Sequence, residues 1–186
     1  MFAFIGNLKI RFKLWIIVGV AVLGLIAATV GSLMSLKQSL LRERQLKTKH
    51  VVETAYGVID YFHGLSQAGT MSAEDAQVAA IAAVRKLRYD EKEYFWINDY
   101  RPVMVMHPFK PELEGKDQSD FKDPRGKRIF VEFADVAKRK GAGFVDYLWP
   151  MPGKSQPVPK TSYVRNFEPW GWVLGSGIYL DDLEAI

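Results

Sequence analysis

The 186-residue sequence contains no cysteine, which removes disulfides, thiol nucleophiles and thiolate-bound metals from consideration. Histidine is almost as scarce. His50, His63 and His107 stand far apart with no metal-ligand spacing, so neither a metal nor a cofactor is expected. Acidic residues are nearly missing from the first 49 positions, where eight Lys and Arg face Glu43 alone. The formal charge of +4 therefore belongs to the N-terminal arm, and the remainder, with 17 basic and 20 acidic residues, is mildly acidic. That balance does not suit a surface gripping a phosphate backbone, and no nucleic-acid partner is expected.

Charge of either sign is missing from the 23 residues Leu14 to Leu36, LWIIVGVAVLGLIAATVGSLMSL. At 1.5 Å per residue, about 20 apolar residues cross the hydrocarbon core, so this run spans with room for tilt. A cleaved signal peptide is the rival reading, because Lys9, Arg11 and Lys13 make a positive n-region and Ala27 and Ala28 are small. Signal h-regions normally run only about 7–15 residues, which favours an uncleaved anchor. Residues 1–13 are then a cytoplasmic N-terminus and 14–36 a transmembrane helix. Lys37 to Lys49 are basic as well, so the flanking charges orient the anchor poorly; long domains cross regardless of them. An outward-facing domain is the expectation.

Beyond Leu36 no helix breaker occurs before Gly57, and Val52, Ala55, Tyr56, Ile59 and Phe62 form one stripe at steps of three and four, predicting a long helix that ends near His63-Gly64. Ser72-Ala73-Glu74-Asp75 resembles a capping box opening a second, Ala-rich helix. From Glu93 the pattern turns to strands: Tyr94 to Asn98, a turn at Asp99 to Pro102, and Val103 to His107. A loop with the turn Asp123-Pro124-Arg125-Gly126 follows, then a short amphipathic helix through Ile129, Phe130, Phe133, Val136 and Ala137, stopped by Gly141. Three more strands cover Gly143 to Trp149, Lys160 to Asn166 and Trp172 to Leu180, with the proline-rich Pro150 to Pro159 as a connector unfit for a ladder. The order predicts an α+β domain in which five antiparallel strands are packed by helices on one side. Gly171, Gly175 and Gly177 in PWGWVLGSGIYLDD are not a phosphate loop, because no helix opens after them. They read as strand positions that another side chain or backbone approaches closely.

Candidate site residues come from shared strand faces. Tyr94, Trp96 and Asn98 share one face, as do Tyr147 and Trp149, and the second strand ends in Met106-His107. Aromatic bodies with a few polar tips make a small-molecule pocket, although they also make an ordinary sheet core. His107 could be a general base, bond locally or contact an anion. Lys160, opening a strand among Tyr and Trp, suits a bound carboxylate if desolvated, and otherwise is a solvated lysine. Tyr163 is the insecure member, since alternation sets it opposite Lys160. Asp181-Asp182 could pair with basic loops, bind a cation or be solvated.

The ordered motifs YFWIND, MHP, LEGKD, DPRGKRIF, GFVDYLWPMPG, PVPKTSYV and PWGWVLGSGIYLDD resemble the single Cache (sCache_2-type) sensor domain of bacterial methyl-accepting chemotaxis proteins and related receptors. Histidine kinases and cyclases are among those relatives. The resemblance covers about residues 36–184. It implies an extracytoplasmic α/β sensor over 37–184 with a PAS-like antiparallel sheet, and a pocket for small organic acids lined by Tyr94, Trp96, Asn98, Met106, His107, Tyr147, Trp149, Lys160 and Tyr163. It further implies a homodimer, a second membrane helix with its lead-in at 185–186, and cytoplasmic signalling partners reached through a C-terminal output region.

Two other classes compete. A membrane-tethered enzyme would use His107 with Asp99 or Asp146, but no nucleophile or metal constellation accompanies them. A structural or partner-binding domain would have its pocket packed shut by its own aromatics. The reading carried forward is a non-enzymatic ligand sensor of a transmembrane chemoreceptor.

Overall fold

The computed structural model describes residues 9–90 and 93–180. The chain packs as two units, one through Arg42 and one from Glu43. The first unit is the early part of helix α1, Ile10–Gln67. Its apolar side chains are exposed all round, Trp15 at 73% and Leu23 at 67% among them, and the helix is long and apolar enough to cross a membrane. Such a surface has no aqueous partner within its own unit.

In the second unit α1 runs on to Gln67, past the end expected at Gly64. A helical glycine costs only about 1 kcal/mol, and termination falls instead to Gly69, whose φ of +70° suits a residue without Cβ. Helix α2, Ala73–Lys86, opens as its sequence predicts: the Ser72 hydroxyl accepts the Asp75 N–H at 3.0 Å. Helix α3, Ile129–Lys140, closes at Gly141 with φ +74°.

The strands are β1 Arg88–Tyr89, β2 Glu93–Asp99, β3 Met104–Met106, β4 Ala142–Pro150, β5 Pro157–Phe167 and β6 Trp172–Tyr179. All pairings between them are antiparallel, in the order β1-β2-β6-β5-β4, with β3 beside β2 at its far end. The five expected strands are present, and the two-residue β1 makes a sixth. The connector Pro150 to Pro159 is shorter than its prolines suggest, because Pro150↔Pro157 and Leu148↔Pro159 are rungs of the β4–β5 ladder. Proline is tolerated there for a geometric reason. Pro159 offers its carbonyl to Leu180 N–H, on the side away from β4, so its missing N–H costs that ladder nothing. Pro157, two residues earlier, faces the same way.

The helices lie on both faces of the sheet, correcting the one-sided arrangement expected from element order. Ile129, Phe130, Phe133 and Ala137 of α3 pack with Tyr94, Trp96, Tyr147, Trp149 and Val164 on one face. On the other, Val52, Ala55 and Ile59 of α1 and Ala80 and Val84 of α2 pack with Phe95, Ile97, Tyr163, Phe167 and Leu174. Every residue of β6 is buried, as a strand covered on both sides requires.

Candidate functional site

The face beneath α3 carries the site. Alternation along β2 sends Tyr94 and Trp96 there, β4 adds Tyr147 and Trp149, and the residue after β3 adds His107. With Ile129, Phe130 and Phe133 of α3 these side chains enclose a cavity of ≈ 10 Å³ for the centre of a water-sized sphere, about the room of one water. Tyr94, His107 and Trp149 are also walls of an outer groove of ≈ 170 Å³, completed by Phe109, Lys110, Glu112 and residues 150–154. These three side chains therefore stand between the cavity and the groove. A larger hollow of ≈ 400 Å³ lies along α3 among Arg128, Glu132, Asp135 and Arg139. It is a charged surface whose Arg139 and Asp135 pair with each other at 3.5 Å, and size alone does not make it a site.

The floor of the cavity face explains the glycines of the last strand. Trp96 pairs across the ladder with Gly175, and a Cβ there would lie 2.6 Å from Trp96 Cε2. At Gly177 it would lie 2.5 Å from the carbonyl oxygen of Thr161 and overlap the Ser162 hydroxyl. That hydroxyl meets Tyr147 Oη at 2.9 Å. Both glycines thus make room for side chains of the cavity face.

Lys160 is 1% exposed. Its ammonium donates to Tyr94 Oη and Tyr179 Oη, each at 3.3 Å, and stands 4.3 and 4.4 Å from the centres of those rings. Among the described residues no carboxylate pairs with it. A buried cation whose direct hydrogen-bond partners are neutral phenols is an expensive arrangement that an incoming anion relieves. The Tyr179 hydroxyl donates to Pro150 O at 3.0 Å. Burial pushes the Tyr147 and Tyr179 phenols well above their ordinary range, so both stay neutral.

His107 is held as a neutral imidazole. Burial, then the positive charges of Lys160 and Lys110, push its pKa down to about 3. Its Nδ1 accepts the backbone N–H groups of Phe109 at 3.2 Å and Lys110 at 3.0 Å. The proton consequently sits on Nε2, which is left as a donor. The ring lies 5.1 Å from that of Tyr94 and 5.9 Å from that of Trp149.

The supporting loop is pinned by Asp123. Its Oδ1 accepts Arg125 and Lys127 N–H, each at 2.9 Å, and Oδ2 accepts Leu148 N–H at 3.0 Å. Burial pushes this carboxyl up, but the three backbone bonds outweigh it and hold the pKa below the ordinary value. The pin keeps Phe121 against Trp149 at 5.5 Å.

Of the residues named from sequence, Tyr94, Trp96, His107, Tyr147 and Trp149 come together around the cavity, and Lys160 joins them through Tyr94. Asn98 is one step removed: its Oδ1 accepts Trp96 Nε1–H at 3.2 Å, orienting the indole. Met106 and Tyr163 are corrected to the opposite face. Met106 precedes His107, and Tyr163 is three residues from Lys160, so alternation sends each to the helical core of α1 and α2. Tyr163 there packs against Phe144 at 4.9 Å. Asp181-Asp182 lie outside the described residues. Sequence reasoning left α3 and Tyr179 out of the site. The apolar stripe Ile129-Phe130-Phe133 was visible, but nothing local said that it roofs the cavity.

On one side of the double-faced antiparallel sheet lies a small aromatic cavity, with the buried Lys160 hydrogen-bonded to its Tyr94 wall. Residues 40–186 match the family described as Single Cache domain 2, and the chain belongs to that family. It is 47% identical over 179 residues to the methyl-accepting chemotaxis protein McpP of Pseudomonas putida, covering 96% of this chain and 33% of that protein. It is 30% identical over 154 residues to the sensor histidine kinase MctS of Rhizobium johnstonii, covering 83% of this chain and 32% of that one. The chain thus spans about a third of the length of these curated relatives. Among solved structures, a periplasmic sensor domain of a chemotaxis protein aligns with a TM-score of 0.75 at 51% identity, over 76% of this chain and 98% of that one. Another, described as the structural basis for carboxylic acid recognition by a Cache chemosensory domain, aligns with a TM-score of 0.75 at 53% identity, over 77% and 98%. These relatives are a chemoreceptor, a sensor kinase and two chemosensory domains.

Proposed function

We propose that this chain is the membrane-anchored, extracytoplasmic sensing part of a bacterial chemoreceptor, and that it binds a short organic acid. The observation that carries the reading is Lys160, a buried ammonium whose hydrogen-bond partners among the described residues are two phenol oxygens. A carboxylate would supply the missing negative charge through a charge-assisted hydrogen bond. The neutral His107 Nε2–H is a second donor suited to the same anion. Walls of Trp96, Phe130, Phe133 and Trp149 leave space for very few carbon atoms. The carboxylic acid recognised by the Cache relative at 53% identity supports the same ligand class.

The cavity has room for about one water, so in this reading Tyr94, His107 and Trp149 shift to admit acetate and reclose around it. A ligand shifts a conformational equilibrium only through its differential affinity for two arrangements, and closure around the anion supplies that difference. In this reading Leu14 to Leu36 is the membrane anchor, residues 37–184 form the sensor in the periplasm, and the receptor works as a homodimer in the inner membrane. The MctS relationship favours one variant, in which the same sensor drives a kinase output.

Calorimetric titration of the chain with acetate, propionate and the neutral isostere acetamide tests the ligand class. Saturable binding of the acids with no binding of acetamide is expected. Equal affinity for acetamide, or no binding of either acid, would remove the carboxylate reading.

A further inference from the structure

His107 reaches the cavity from the residue just after β3, where the ladder has ended, so something besides the sheet has to hold its backbone. That support is the side chain of Glu114. Its Oε1 accepts the His107 backbone N–H at 2.8 Å. The same carboxylate is gripped by Arg85, from the last turn of α2, through Nη1 to Oε1 at 2.7 Å and Nη2 to Oε2 at 2.9 Å. This is the parallel fork in which a guanidinium fixes a carboxylate's plane as well as its position. The Glu114 backbone is itself bridged to Met104, and Gly115 N–H donates to Met104 O at 2.8 Å. The carboxylate is thereby fixed from two directions, by β3 through its main chain and by α2 through its side chain. Oε1 accepts both Arg85 and the His107 N–H. Arg85 belongs to a helix whose Ala80 and Val84 pack in the core on the opposite face of the sheet, so the pair also joins that helix to a wall of the cavity.

We propose that Glu114, locked by Arg85, is a positioning residue for His107 in ligand recognition. The carboxylate sets where the His107 main chain stands, and the main chain sets whether the imidazole can take the Phe109 and Lys110 N–H groups on Nδ1 and present Nε2–H. The inference rests on the reading of this cavity as the carboxylate site. A purely structural ion pair would need only opposite charges at positions 85 and 114. A positioning carboxylate needs an acceptor at position 114 in particular, and that difference makes the two roles separable.

The test uses the full chain in detergent micelles, with ¹⁵N-labelled histidine and with acetate as the probe. Glu114→Met removes acceptor and charge, Arg85→Met frees the carboxylate to swing, and Glu114→Gln keeps an acceptor of the same length. The exchanged pair Arg85→Glu with Glu114→Arg restores the ion pair but leaves His107 N–H without its acceptor. Acetate affinity should fall roughly tenfold in Glu114→Met, the scale of one hydrogen bond to a charged group, and should not recover in the exchanged pair. Glu114→Gln should stay within about threefold of the unmodified chain, a fraction of such a bond. The His107 ring signals should lose the fixed Nε2–H pattern in Glu114→Met, Arg85→Met and the exchanged pair, although none of these changes touches the ring. Unchanged ring signals in Arg85→Met, or full recovery of affinity in the exchanged pair, would overturn the proposal. If Glu114→Met fails to fold, Arg85→Met and Glu114→Gln carry the same decision. Absence of acetate binding by the unmodified chain would sink the carboxylate reading alone, because the ring signals are recorded without ligand.

Discussion

Trp96 lies across the strand from Gly175, and its indole fills the space that a side chain on Gly175 would need. The contact joins the second strand to the last and sets the depth of the cavity, because Trp96 is one of its walls. Gly175→Ala should therefore act twice. Forcing a methyl into a packed core costs about 1–3 kcal/mol, which urea unfolding of the chain would show. The displaced indole should also weaken carboxylate binding beyond what the stability loss explains. Gly57, with open space around it, is the control: Gly57→Ala should leave binding alone and add slightly to helix stability.

Lys160 gives a second expectation, in which stability and binding move apart. Replacing it by methionine removes a buried cation and keeps most of the volume. Exchanging buried charge for packed apolar atoms is often neutral or stabilising. Lys160→Met should melt at the same temperature as the unmodified chain or higher, yet bind acetate about 1.5–3 kcal/mol more weakly, the worth of a hydrogen bond to a charged group. A variant that melts lower and binds as well as before would show that the lysine serves the fold and not the ligand.

Much of this architecture was legible in the residues. The Ser72 cap, the stop at Gly141 and the alternation of β2, β4 and β5 are local signals, and the structure follows them. Alternation also told against Tyr163 beside Lys160, and the same rule applied to Met106 and His107 would have removed Met106. The illegible parts are long-range. That α3 crosses to the face opposite α1 and α2 depends on how the 22-residue segment 107–128 folds back, for which no residue pattern speaks. That Pro157 and Pro159 can stand in a ladder depends on which side β6 lies. That Tyr179 meets Lys160 is a register fact, fixed only once β5 and β6 pair.

The buried imidazole predicts a pH dependence with a definite sign. The folded-state pKa of His107 is about 3, against an ordinary 6.5 when unfolded. Between those values the unfolded chain binds a proton that the folded chain refuses, so stability rises with pH across the window. The contribution is complete near pH 7 and is lost as pH falls below about 6.5, by up to about 1.4 kcal/mol per unit. Glu114 and Asp123, also held below their ordinary values, act in the same direction, but only in the carboxylate range further down. Urea unfolding at pH 7, 6 and 5 should show the slope in the unmodified chain. In His107→Gln, where the side-chain oxygen can accept the same backbone N–H groups, the slope should be reduced by that amount. Identical slopes would mean that His107 does not stay neutral. Acetate affinity of the unmodified chain should show no step from this residue between pH 5 and 8.

The face of α1 available to a second copy is decided by which face the sheet already covers. Val52, Ala55 and Ile59, part of the apolar stripe that the sequence shows on this helix, are 0, 1 and 0% exposed within one chain. They pack on the protein's own sheet and α2. Steps of three and four along the other side pass through Leu46, His50, Thr54, Gly57 and Tyr61, all exposed, with Leu46 at 52% and Tyr61 at 63%. Large apolar residues left on the outward side of a long helix suit a self-complementary contact about a two-fold axis. Single cysteines introduced at Leu46 and at Tyr61 should therefore form intersubunit disulfides on mild oxidation, while cysteines at Val52 and Ile59 should not. The native chain has no cysteine, so each bond would report one position. Acetate should change the oxidation rate at the outward positions if ligand binding moves the two copies of α1 against each other. Bonds at Val52 or Ile59 would show that the domain opens in the receptor. A failure at Leu46 and Tyr61 alike would remove α1 as the dimer contact.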